Sequence, residues 1–255
     1  YHPPLEKGYA ECIGFDAWSR LWLLGTDGTL IIYDVTSGRE TIIKAPTDSG
    51  HVYPGRFINE NSQYDLGIAN WVYVYDVASM KLVDSYEMML DEEALQMEYM
   101  TVDENGEFVY ANLRAGRVIA YQLSDGTCQV VEQIAMHRYS DKMIMSESGN
   151  MLLVRTRDGE LALVDTASLQ VVDHIALDNY YFAAFIEADT KLLIQSKDGH
   201  LRIYDIEGKA YSYISDGSYS MIDGVEIGEK GCYLKSSTEL VLLDASTMEP
   251  VARVP

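Results

Sequence analysis

Leu161-Ala162-Leu163-Val164-Asp165 decides the fold: it is an apolar run of strand length that ends in an aspartate and leads into a turn. The same pattern recurs along the whole chain, and successive copies end 42, 46, 43, 40 and 39 residues apart. A period near forty residues predicts six copies of one supersecondary unit. The other five copies are Leu30 to Asp34, Val72 to Asp76, Val118 to Gln122, Leu201 to Asp205 and Leu240 to Asp244.

The residues around the fourth copy predict four strands in each unit. These strands are Lys142 to Ser146, Met151 to Thr156, Glu160 to Asp165 and Val171 to Ala176. The hairpin dipeptide Asp158-Gly159 separates the second strand from the third, as Asp-Gly does in tight turns that need a positive φ. Four antiparallel strands per forty residues are typical of a propeller blade. The sequence therefore predicts an all-β fold, a β-propeller of about six four-stranded antiparallel blades, or seven if flanking sequence contributes.

The repeat also predicts the domain organisation. We expect a single β-propeller domain over residues 1–255, closing by simple packing, by an extra edge strand at Leu5 to Lys7, or with blades outside this sequence. The chain begins with Tyr1 and not Met, so we expect it to be part of a longer protein. The segment Met88 to Met97 has helix-like composition and is predicted to be an inter-blade loop with up to one helical turn. The predicted blades cover residues 5–46, 47–90, 91–136, 137–177, 178–216 and 217–255.

Charge and cysteine usage restrict the possible partners. The formal net charge is −21, from 40 acidic and 19 basic residues, and it would repel nucleic acid and anionic membranes. No apolar run reaches the roughly 18 residues of a membrane helix. Cys12, Cys128 and Cys232 are far apart and form no metal-ligand pattern, which is typical of reduced thiols in a cytoplasmic protein.

The closing dipeptide of the predicted third strand resembles that of the WD-repeat family. The family has Trp-Asp there, and this chain has Tyr-Asp at Tyr33, Tyr75 and Tyr204. The opening Gly-His dipeptide of the family occurs once, at Gly50-His51, and His137 stands alone at a similar place. The resemblance covers essentially the whole chain and is to a degenerate, prokaryote-like relative. It implies a platform for protein binding. Quinoprotein-like and lactonase-like propellers remain alternatives.

A tyrosine recurs where the chain begins the first strand of a blade. Two interpretations are open: each ring fills the gap between blades with its hydroxyl on a carbonyl, or the phenols form a binding surface. These tyrosines lie 25, 23, 26, 25 and 25 residues before the closing aspartate and are Tyr9, Tyr53, Tyr139, Tyr180 and Tyr219. The candidate binding residues are His51, Tyr53, Tyr139, Tyr180, Tyr181 and Tyr219. We expect the pairs His51 with Tyr53 and Tyr180 with Tyr181 to be the most exposed.

No catalytic motif is present in the sequence. It contains no nucleophile elbow, phosphate-binding loop, zinc-protease pair or calcium loop. We therefore predict no enzymatic activity, no cofactor and no metal, but a monomeric scaffold or sensor domain that binds a protein or peptide. The alternatives are a lactonase or hydrolase propeller with an axial metal held by carboxylates, and a structural spacer.

Overall fold

A computed structural model gives the structure of most of the chain. It describes residues 9–46, 52–58, 62–90, 93–94, 97–113, 117–131, 134, 143–156, 160–177, 180–228, 231–244, 247 and 249–254. These residues form strands and turns and no helix. Their contacts group into two compact units, Tyr1–Met143 and Ile144–Pro255.

The first unit contains three four-stranded antiparallel sheets, and in each the strands pair in chain order. Sheet 1 consists of β1 (Tyr9–Phe15), β2 (Arg20–Gly25), β3 (Leu30–Asp34) and β4 (Arg39–Ile43). Sheet 2 consists of β5 (Val52–Ile58), β6 (Gln63–Ile68), β7 (Trp71–Asp76) and β8 (Lys81–Glu87). A two-stranded pair, β9 (Met89–Leu90) and β10 (Glu93–Ala94), follows. Sheet 3 consists of β11 (Met97–Val102), β12 (Phe108–Leu113), β13 (Val118–Gln122) and β14 (Cys128–Val130).

The second unit repeats the same arrangement three times. Sheet 4 consists of β15 (Met143–Met145), β16 (Met151–Arg155), β17 (Leu161–Asp165) and β18 (Gln170–Ile175). Sheet 5 consists of β19 (Tyr180–Ile186), β20 (Lys191–Ser196), β21 (His200–Asp205) and β22 (Ala210–Ser218). Sheet 6 consists of β23 (Ile222–Gly228), β24 (Gly231–Ser236), β25 (Leu240–Asp244) and β26 (Pro250–Val254).

The predicted strands are confirmed, and one connection differs from the prediction. All four predicted strands of the fourth copy are present with ends shifted by at most one residue. The segment Met88 to Met97 was predicted to hold up to one helical turn, and this is wrong for its described residues, since Met89–Leu90 pairs with Glu93–Ala94 as strands. Pairing satisfies backbone groups that a single helical turn would leave largely unbonded. The candidate edge strand at residues 5–7 lies outside the described residues.

The aspartate that closes each third strand holds the turn that follows it. Its Oδ1 accepts a hydrogen bond from the backbone N–H three residues later, which is the geometry of a turn stabilised by an aspartate side chain. The third copy, which ends in Gln122, places Asp125 inside the turn instead, and this side chain accepts from Thr127 N at 2.8 Å. The five direct cases are Asp34 with Ser37 (3.0 Å), Asp76 with Ser79 (2.7 Å), Asp165 with Ser168 (2.7 Å), Asp205 with Gly208 (2.6 Å) and Asp244 with Thr247 (2.9 Å).

The hydrophobic cores lie between neighbouring sheets, because the second and third strands are buried on both faces. In the first unit, sheets 1 and 2 share a core that includes Trp22, Leu24, Tyr64, Leu66 and Tyr75, and sheets 2 and 3 share one that includes Tyr53, Ile58, Met97, Met100 and Tyr121. In the second unit, the corresponding cores include Leu153, Leu163, Ala183, Leu192 and Tyr204 between sheets 4 and 5, and Ile186, Leu193, Ile222, Leu234 and Val241 between sheets 5 and 6. Each sheet therefore buries apolar surface that it could not bury alone.

Candidate functional site

The candidate site lies at the end of the sheets where the first and third strands begin, which we call the front end. In five of the six first strands the pairing with the second strand is interrupted by a bulge near this end. A bulge frees one residue from the ladder and re-aims its side chain. In β19 the interruption falls between Tyr180 and Phe182, so Tyr181 is the bulged residue.

Tyr53 does not have the exposure predicted for it. Its ring is 5% exposed, and its hydroxyl donates to the carbonyl oxygen of Met97 at 2.5 Å, in the first strand of sheet 3. The prediction is wrong because both the ring and the hydroxyl of Tyr53 find partners between two sheets. His51 and Tyr139 lie outside the described residues, as does His137.

Tyr180 and Tyr181 differ from each other in exposure. Tyr181 is 42% exposed, as predicted. The predicted exposure is wrong for Tyr180, which is half-buried because the guanidinium carbon of Arg155, at the end of β16, lies 5.1 Å from the centre of its ring. Such a cation–π contact holds both side chains in one orientation. Tyr180 therefore supports the surface on which Tyr181 is displayed.

Tyr219 sits at the front end of sheet 6 in a similar arrangement. Its ring is half-buried against the core of sheets 5 and 6, and the guanidinium carbon of Arg253 lies 4.6 Å from the ring centre. Two residues later, Met221 is 54% exposed. Tyr219 also forms one wall of a shallow depression whose lining includes Lys235 and Glu239. A second arginine-stacked tyrosine thus lies next to an exposed apolar side chain.

The segment that carries Tyr219 and Met221 is held in place by Gln195 of sheet 5, which is 1% exposed. The Gln195 Nε2 group donates to the carbonyl oxygens of Tyr219 at 3.2 Å and Ser220 at 2.8 Å, and its Oε1 accepts from the Ile222 N–H at 2.8 Å. One buried amide therefore fixes the path of the whole segment.

Sequence reasoning missed both Gln195 and Arg155, although a signal for them exists. In sheet 5, Lys191 pairs with the closing aspartate Asp205, and Gln195 is the fifth residue counted from Lys191. In sheet 4, Met151 pairs with Asp165, and Arg155 is the fifth residue counted from Met151. A polar residue at the same place in two otherwise apolar strands indicates a contact made by its side chain.

The chemistry of the described residues favours no particular reaction. Among them, no group of three or more histidine, cysteine, aspartate or glutamate side chains is placed to hold a metal ion. None of them forms a helix able to cross a membrane. Cys12, Cys128 and Cys232 form no disulfide, and burial raises the pKa of Cys232 to about 11, so that it stays protonated at neutral pH.

Comparison with solved structures shows the fold. The chain superposes on the Myceliophteria thermophila Cps50 (Swd1) β-propeller domain with a TM-score of 0.70 and 14% identity, over 98% of this chain and 88% of that one. The fold is a β-propeller with six four-stranded blades. A dihydro-heme d1 dehydrogenase, NirN, solved in complex with DHE, also matches with a TM-score of 0.70 and 13% identity, over 98% of this chain and 57% of that one.

Sequence comparisons add nothing to this assignment of the fold. No family model matches the chain, and no curated protein matches its sequence. At 13 and 14% identity the structural likeness shows the fold alone.

Proposed function

We propose that this chain is a non-catalytic, WD-repeat-like propeller that binds a protein or peptide at the front end of sheets 5 and 6. The observation that carries the proposal is the pair of exposed apolar side chains, Tyr181 and Met221, each next to a tyrosine stacked by an arginine. The likeness to a Swd1 β-propeller domain supports the propeller fold on which the proposal rests.

The residue types at this surface are those that protein interfaces favour. Tyrosine, arginine and methionine are enriched at interfaces and tyrosine and arginine at their energetic centres, whereas lysine and glutamate are depleted. The stacks of Arg155 on Tyr180 and of Arg253 on Tyr219 fix these side chains before a partner arrives. A fixed side chain loses less entropy on binding, so more of the contact energy contributes to affinity.

The cysteines form no disulfide, which agrees with the cytoplasmic localisation that we include in the proposal, together with a monomeric state. Cys12 is exposed and unpaired, and an exposed thiol of this kind persists in a reducing compartment.

The test has two stages. Immobilised wild-type chain is first used to recover a binding protein from lysate of the source cell, and the affinity of the purified pair is then measured with variants Tyr181→Ala and Met221→Ala. Loss of a central aromatic contact costs about 1–2 kcal/mol, so we expect roughly tenfold weaker binding for Tyr181→Ala. The matched control is Ile214→Ala, which removes an equally exposed apolar side chain from β22.

Ile214→Ala should bind like the wild type, and all three variants should keep the wild-type melting temperature. A partner whose affinity is the same for wild type and Tyr181→Ala would place the interaction elsewhere. Activity on a lactone, with a divalent cation bound to the purified protein, would favour the enzyme alternative.

A further inference from the structure

A carboxyl group lies in the core of sheet 2 at Asp65, the third residue of β6. Its side chain is 0% exposed, Gln63 Nε2 donates to its Oδ1 at 2.8 Å, and its Oδ2 has no hydrogen-bond partner in the part of the chain that the structure describes. The second strands of the other five sheets carry an aromatic or leucine side chain at the position that corresponds to Asp65. These residues, aligned by their pairing with the end of the third strand, are Trp22, Tyr110, Leu153, Leu193 and Tyr233.

The turn between β11 and β12 of sheet 3 closes over this carboxyl. Asp103 holds the turn by accepting from the Glu107 N–H at 2.8 Å and the Phe108 N–H at 2.9 Å. Gly106 has a φ of +68° and packs so closely that a Cβ there would lie 2.9 Å from Gln63 Nε2 and 3.7 Å from Asp65 Oδ2. A side chain at position 106 would therefore not fit between the two sheets.

Burial, followed by the neighbouring charge of Asp103, raises the pKa of Asp65 to about 7, although the hydrogen bond from Gln63 acts in the opposite direction. A further ionisable group near Asp65 lies on its own sheet. The pKa of Tyr86 on β8 is raised mainly by its hydrogen bond to Asp84 and also by the charge of Asp65. Ionisation of Asp65 would thus leave a buried carboxylate with one hydrogen-bond donor and a second negative charge close by.

We propose that Asp65 makes the contact between sheets 2 and 3 sensitive to pH near neutrality. With a proton on the carboxyl, the turn Asp103 to Phe108 packs on β6. When the proton is lost to solvent, the carboxylate gains water only if this turn separates from β6. The exposed residue Glu104, at the tip of the turn, then changes its surroundings.

The sign of the effect follows from the direction of the shift. Between about pH 4 and pH 7 the folded chain holds a proton that the unfolded chain has lost, so stability falls as the pH rises through this window. Over the same window each unit of pH favours the opened turn, in which the hydrated carboxyl has its ordinary pKa, by about tenfold, and above pH 7 this increase levels off.

Hydrogen exchange of the Gly106 and Phe108 amides tests the proposal directly. After correction for the intrinsic rate, we expect wild-type protection to fall about thirtyfold between pH 5.5 and pH 8.5, since the lower pH lies about 1.5 units below the pKa of Asp65 and the effect levels off above it. Asp65→Asn keeps the shape and cannot ionise, so its protection should not change with pH. The matched control Asp84→Asn, at an exposed aspartate of β8, should behave like the wild type.

Two results would overturn the proposal. One is wild-type protection that stays constant over this pH range, and the other is the same pH dependence in Asp65→Asn. An infrared measurement on the wild type needs no variant: the band of a buried protonated carboxyl should be present at pH 5.5 and absent at pH 8.5. Its absence at pH 5.5 would equally contradict the proposal.

Discussion

Replacing Gln195 by alanine tests how one sheet holds the first strand of the next. The buried Gln195 amide makes three hydrogen bonds to the segment of residues 219–222, two to carbonyl oxygens and one to the Ile222 N–H. Alanine removes all three hydrogen bonds, so that fewer contacts hold this segment to sheet 5. One that remains is the hydrogen bond from the Tyr219 N–H to the Gly199 carbonyl oxygen at 2.9 Å.

The magnitude follows from the groups that lose their partners. Each of the two hydrogen bonds donated by Gln195 contributes about 1 kcal/mol net, and a buried N–H left unpaired at Ile222 costs about 1–3 kcal/mol. We therefore expect Gln195→Ala to lower the free energy of unfolding by about 4 kcal/mol. For a chain of 255 residues this corresponds to a fall in melting temperature of roughly 8–16 °C.

Urea titration and thermal melting measure this change, and two further variants sharpen it. Gln170→Ala removes an exposed glutamine from β18 and should change stability by less than about 0.5 kcal/mol. Gln195→Glu keeps an acceptor for the Ile222 N–H but places a negatively charged oxygen where the amide NH2 group was. This oxygen is repelled by the carbonyl oxygens of Tyr219 and Ser220. The variant should be at least as unstable as Gln195→Ala at pH 8 and should recover as the pH falls and the glutamate takes up a proton.

A stability loss below about 1 kcal/mol for Gln195→Ala would refute this reasoning, because the segment would then keep its path without the amide. The same variant should also weaken partner binding, since the segment carries Tyr219 and Met221. If stability falls while the affinity of the recovered partner is unchanged, the binding surface does not include sheet 6.

Further substitutions probe other contacts between and within the sheets. Tyr204 donates to Asp173 Oδ2 at 2.5 Å across sheets 5 and 4, and Tyr204→Phe should cost about 2 kcal/mol in a urea titration. Gly28 has a φ of +79°, and a Cβ there would lie 2.7 Å from Ile68 Cδ1, so Gly28→Ala should lower the melting temperature by several degrees. Hydrogen bonds from Ser168 lower the pKa of Asp165, so its stabilising effect is complete above about pH 4 and is lost as the pH falls through the lowered value. Asp165→Asn should flatten the loss of stability below pH 4 in acid titrations.

The sheets could be predicted from the sequence because the signals that define them are local. Asp165 stabilises a turn three residues away, and Leu161 to Val164 alone have the composition of a buried strand. The contacts between sheets could not be predicted in the same way. Gln195 bonds to residues more than twenty positions later, and nothing near it in the sequence indicates that partner.

The tyrosines show the same limit. Tyr53 and Tyr180 recur at similar distances from the closing aspartate, yet Tyr53 is buried with its hydroxyl on Met97, whereas Tyr180 lies under Arg155 beside an exposed Tyr181. A tyrosine side chain is stable both in a core and at a surface, so its position in the repeat does not show whether it is buried or exposed. Asp65 was missed because Gln63-Tyr64-Asp65 alternates polar and apolar residues, a pattern typical of a half-exposed strand.

The fifth position of the second strand, counted from the residue that pairs with the closing aspartate, differs between sheet 2 and sheets 4 and 5. In sheet 2 this residue is Gly67, whose Cα packs against the Met100 side chain of β11, so that sheets 2 and 3 approach closely and Tyr53 is covered. In sheets 4 and 5 it is Arg155 or Gln195, and these long polar side chains occupy the same place and contact the beginning of the next sheet themselves. The following first strand is then held at the front end by a polar side chain, in addition to the apolar contacts of the core. Aromatic residues there stay near the surface in fixed orientations, which is what a binding surface requires.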